Sequence, residues 1–139
     1  MAIINTASAH WTGSLKEGAG TFSTRSGALA DIPYTFAQRF EGAAGTNPEE
    51  LIGAAHAACY AMFLSALMSG AEITGIDVAA TSTVTLDPAG PTVTGAHLTV
   101  IAKGATDAAQ ITALAEEAKV KCPISKLLNA PVTLEVTVG

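Results

Sequence analysis

Two cysteines, an arginine, two adjacent glutamates and a histidine are the side chains of this 139-residue chain whose types and spacing admit covalent chemistry. Cys59 sits in the apolar continuation of residues 46–60, TNPEELIGAAHAACY. Burial favours the neutral thiol, so a buried cysteine is ordinarily inert, and a helix dipole fades beyond its first turn. A reactive Cys59 therefore needs charge from outside its own helix. Arg39, one of only two arginines, is the best supplier, because a guanidinium keeps its proton when buried and can also hold a peroxide or oxyanion. Cys122 stands directly before Pro123, where its sulfur can lie against free N–H groups at the start of a short helix, with Lys119, Lys121 and Lys126 nearby.

The two glutamates differ in role. Glu50 is three residues after Asn47 and fits a capping box, whereas Glu49 can complement the dipole or clamp Arg39 as a bidentate partner. Ten residues of helix separate Glu49 from Cys59, roughly 15 Å along the axis. Glu49 cannot reach the thiol of its own helix, so a site using both requires either a broken helix or two copies of the chain, and the second is the preferred reading. His56 shares a helical side with Cys59, but two ligands do not make a metal site, and His10 and His97 lack ligand spacing. Neither a metal nor a cofactor is expected. A Cys-His hydrolase is disfavoured too, because its cysteine would be expected at a helix start rather than in mid-helix.

The elements that must position these groups follow from periodicity. Strands are expected over residues 3–12, 18–24 and 33–40, the last placing Arg39 opposite an aromatic face of Tyr34, Phe36 and Phe40. A long helix opens at Asn47 with Pro48 in its first turn and runs to about Ser69, where Gly70 can supply a left-handed stop. Strands over residues 73–86 and 92–103 flank a turn at Asp87-Pro88-Ala89-Gly90. A helix capped by Asp107, a short one after Pro123 and a final strand over residues 131–138 complete the order βββ-α-ββ-αα-β. That is an α+β pattern, read as one domain over residues 1–139.

Composition narrows the function classes. With 49% hydrophobic residues, a net charge of -5 and no basic run, the chain suits neither disorder nor nucleic-acid binding. The N-terminal residues carry no secretory pattern, so a cytoplasmic protein with free or redox-cycling thiols is expected. Residues 51–68 are just long enough to span a bilayer, but the flanking segments offer no belt of aromatic or basic anchors, which argues against membrane insertion.

Taken together, the NPEEL helix start with Cys59 ten residues after Glu49, RFEG at residues 39–42 and KCPIS at residues 121–125 resemble the OsmC/Ohr family, in particular its OsmC branch. The resemblance runs from AHWTG at residues 9–13 through the last strand. It implies antiparallel sheets around a long buried central helix, in an intertwined homodimer with two interfacial sites. It also implies a thiol peroxidase for organic hydroperoxides, with Cys59 peroxidatic, Cys122 resolving through a Cys59–Cys122 disulfide, Arg39 activating the thiolate and Glu49 orienting Arg39 from the partner subunit. A dithiol, typically a lipoylated protein, recycles such enzymes. Leu15-Lys16-Glu17-Gly18 stands where the Ohr branch carries its arginine, which leaves that role to Arg39. The competing reading is a non-enzymatic dimeric module that holds an apolar ligand.

Overall fold

Early strands form only where each finds a partner. In the computed structural model, which describes residues 1–139, β1 (Ala7–Thr12) pairs antiparallel with β2 (Ala19–Thr24), which in turn pairs with β3 (Ile32–Tyr34). Residues 3–6 were expected to extend β1 but lie outside it, because β2 ends at Thr24, opposite Ala7. The chain forms two compact units, Met1–Pro48 and Glu49–Gly139.

The larger correction in the first unit concerns residues 33–40. The strand stops at Tyr34, and residues 36–40 form a helix, α1 (Phe36–Phe40), whose N-cap Thr35 accepts a hydrogen bond from the Gln38 backbone. Phe36 and Phe40 fit a two-residue and a four-residue spacing equally well; the four-residue spacing prevails, with ring centroids 4.9 Å apart. Thr35 with Gln38 three residues on was the missed helix-start signal.

In the second unit α2 (Pro48–Gly70) begins directly after Asn47 and is one unbroken helix. Its buried residues Glu49, Gly53, His56, Tyr60, Leu64 and Met68 recur every three or four positions, forming one face. From Tyr60 onward that face joins a core with Leu98, Val100 and Ala102 of β5 (Thr92–Lys103) and Ile111, Ala115 and Ala118 of α3 (Ala108–Lys121). Each large apolar side chain so buried contributes about 1.5–3 kcal/mol. By length and composition α2 could cross a membrane, as can the core helices of many soluble proteins.

The helix overruns its expected stop. Gly70 stays helical, and Glu72 takes the left-handed conformation at φ 60. Ile73 N–H then donates to the Met68 carbonyl and Glu72 N–H to the Ser69 carbonyl, the paired bonds of a Schellman motif. β4 (Asp77–Asp87) starts four residues later than expected, where Asp77 meets Lys103 at the end of β5. The hairpin turns as foreseen, with Ala89 N–H on the Asp87 carboxylate and Gly90 at φ 116. β6 (Val132–Val138) joins β5 in parallel, so this sheet is mixed; α3 and α4 (Pro123–Leu127) supply the crossover that a parallel pair requires.

Candidate active site

Cys59 and Cys122 come together from positions 63 residues apart. Cys122 Sγ donates to Cys59 Sγ at 2.9 Å, and both thiols are free. Cys122 is at once the C-cap of α3, through its N–H on the Ala118 carbonyl, and the N-cap of α4. Its sulfur makes no capping bond, contrary to expectation; the backbone N–H of Ile124, in the first turn of α4, serves the Cys59 sulfur instead. The short helix thus directs its donor at the partner cysteine. Lys119 and Lys121 pair with Glu116 and Glu117 at 3.0 and 2.7 Å.

Within its unit the Cys59 thiol is pushed above the ordinary cysteine value. Burial is the main cause, followed by the hydrogen bond and the charge of Cys122, while the Ile124 N–H pulls the other way.

His56, one turn before Cys59, is fully buried and not poised as a base for it. Its Nδ1 lies 2.7 Å from Ser82 Oγ and its Nε2 2.8 Å from Ser125 Oγ, and burial lowers its pKa. Sequence reasoning named neither serine, since contacts 26 and 69 residues away leave no local signal. No three of His, Cys, Asp or Glu converge as a ligand set. Tyr60 ties α2 to α3 by donating to the Ala115 carbonyl at 2.9 Å.

Glu49 is buried in the first turn of α2, and the continuity of that helix keeps it about ten residues from Cys59 of the same chain. In the first unit Arg39 lies in the last turn of α1 with its guanidinium carbon 5.4 Å from the Phe40 ring centre. The expected separation of Arg39 from the aromatics therefore does not hold, because the segment is helical. Arg39 lines a pocket of about 220 Å³ with Trp11, Leu15, Tyr34, Phe36 and Phe40 among its walls. Lys16 approaches the same Phe36 ring at 5.9 Å.

Residues 41–137 match the family described as OsmC-like protein. The chain is 45% identical to Peroxiredoxin OsmC of Escherichia coli K12 over 138 residues, covering 97% of this chain and 96% of that one, and equally to its namesake in Shigella flexneri. Among solved structures it is similar to the organic hydroperoxide resistance protein OhrB of Bacillus subtilis, at 26% identity and TM-score 0.68, covering 95% of this chain and 98% of that one. An OsmC-like protein of Mycoplasma pneumoniae shares the fold at TM-score 0.73 and 16% identity, covering 99% of both chains. The chain belongs to the OsmC family.

Proposed function

We propose that this OsmC-family peroxidase reduces organic hydroperoxides to alcohols through Cys59 and Cys122. The 2.9 Å approach of two free thiols carries the reading, since structural cysteines that do no chemistry have no need to meet. The Cys59 thiolate gives an electron pair to the distal peroxide oxygen, the O–O bond breaks, and the alkoxide departs and takes a proton as alcohol. Cys59 is left as sulfenic acid. The Cys122 sulfur attacks the Cys59 sulfur, a disulfide forms and the oxygen leaves as water. A dithiol, as in the lipoylated proteins that serve this family, returns both thiols.

Activation is the step the second unit alone does not provide, because its influences on Cys59 are mostly upward. Arg39 supplies the opposing charge, and Glu49 orients it from the partner subunit of a homodimer. Support for a shared site is the unbroken helix between Glu49 and Cys59. Support for the dimer is an exposed apolar stripe on α2, Ala54, Ala55, Ala58 and Met62, the last 77% exposed. The apolar core against which Cys59 packs favours a hydrocarbon tail over hydrogen peroxide, at roughly 25 cal/mol per Å² of apolar surface covered. The enzyme acts in solution, in the cytoplasm, where a dithiol pool is at hand.

The test is thiol titration after stoichiometric cumene hydroperoxide. Loss of both thiols to a disulfide, abolished by Cys59→Ser, supports the peroxidase; unchanged thiols point to the binding module. Mixed dimers of Cys59→Ser and Glu49→Ala subunits address the shared site. Activity recovered in the mixture supports it, and none counts against it.

A further inference from the structure

A second link joins α2 and α4 beside the pair of sulfurs. Cys59 meets Cys122, and His56, three residues earlier, meets Ser125, three residues later. The two contacts are rungs one helical turn apart. Helix α4 has five residues, too few to hold its shape alone, and Ser125 is its one buried residue. Its last residue, Leu127, is 74% exposed. The far nitrogen of His56 is bonded to Ser82 on β4, and Gly53 on the same face of α2 lets the helix approach that strand. With both nitrogens engaged the buried imidazole is fixed in place and its polar atoms are satisfied.

We propose that the Ser82–His56–Ser125 chain of hydrogen bonds is a clamp that fixes α4 against α2 and so sets the approach of Cys122 to oxidised Cys59. His56 and Ser125 are positioning residues for disulfide closure, a role that rests on the peroxidase reading above. Closure competes with overoxidation. A sulfenic acid that waits too long takes oxygen from a second hydroperoxide, giving sulfinic acid and another alcohol. The partition between disulfide and sulfinic acid at fixed peroxide therefore reports the closing step independently of the first attack. Misplacing a reacting group by about an ångström can slow such a step as much as a hundredfold.

The experiment adds cumene hydroperoxide in fixed excess to the full-length protein and measures both products by mass spectrometry. In Ser125→Ala the ratio of sulfinic acid to disulfide should rise on the order of tenfold, and Ser125→Thr, which keeps the hydroxyl, should restore the wild-type ratio. An unchanged ratio in folded Ser125→Ala, or equal defects in both variants, overturns the clamp. Should Ser125→Ala not fold, Ser82→Ala at the half-buried end is read by the same criterion. Wild-type protein that forms no disulfide overturns the peroxidase reading and the clamp with it, whereas a wild-type disulfide with unaffected variants overturns the clamp alone.

Discussion

Substituting Gly53 by alanine sets two effects of known size against each other. A helix interior gains about 1 kcal/mol when alanine replaces glycine. A Cβ at position 53 would lie 3.0 Å from the Ser82 carbonyl oxygen and 3.7 Å from Val84 Cγ2, and a backbone atom cannot swing aside as a side-chain tip can. Relieving that contact requires α2 to rise from β4 by a few tenths of an ångström, and overpacking of this kind costs about 1–3 kcal/mol. The net expectation is a loss of up to about 2 kcal/mol, with the His56–Ser82 bond stretched by the same movement. Gly70, at the end of the same helix, has nothing within 4 Å of its would-be Cβ, so Gly70→Ala should lose nothing. Urea unfolding at constant slope compares the midpoints. If Gly53→Ala matches or exceeds wild-type stability, the close approach of α2 to β4 is wrong.

Other expectations follow from single groups. Burial places the folded-state pKa of His56 below its ordinary 6.5, so the unfolded chain binds the proton first as pH falls. Stability should be full above about pH 6.5 and decline below it until the folded pKa is reached, by no more than about 1.4 kcal/mol per pH unit; His56→Gln should flatten that part of a urea-midpoint profile. Glu72→Gly removes the strain of a left-handed non-glycine residue and should stabilise the protein by about 0.5–1 kcal/mol, seen as a higher thermal midpoint. Tyr60→Phe takes away the bond to the Ala115 carbonyl and should cost about 1 kcal/mol in chemical denaturation.

The elements with local grammar were legible in the sequence: the Pro48 helix start, the Asp87 to Gly90 turn, and the Asp107 cap, which accepts the Gln110 N–H at 2.8 Å. The contact between Cys59 and Cys122 was expected from family resemblance and not from local grammar. What could not be read was set by partners elsewhere in the chain. Strand ends depend on where the neighbouring strand stops, as at Ala7 and Asp77. The segment at 36–40 satisfied two periodicities, and its Thr35 cap decided between them. Glu72 took the left-handed position because the Schellman bonds and the Met68–Ile73 junction with the core fix the helix end two residues past Gly70. Ser82 and Ser125 carried no signature as isolated serines; only the buried imidazole between them gives them a role.

The account depends on the half-buried Cys59 sulfur, disfavoured as thiolate by its own unit, being held ionised by Arg39. Ultraviolet thiolate absorbance followed against pH in Cys122→Ser isolates Cys59 and measures this directly. Cys59 should ionise below the ordinary cysteine value in that background and above it once Arg39→Gln is added. Identical titration curves with and without the arginine would contradict the account.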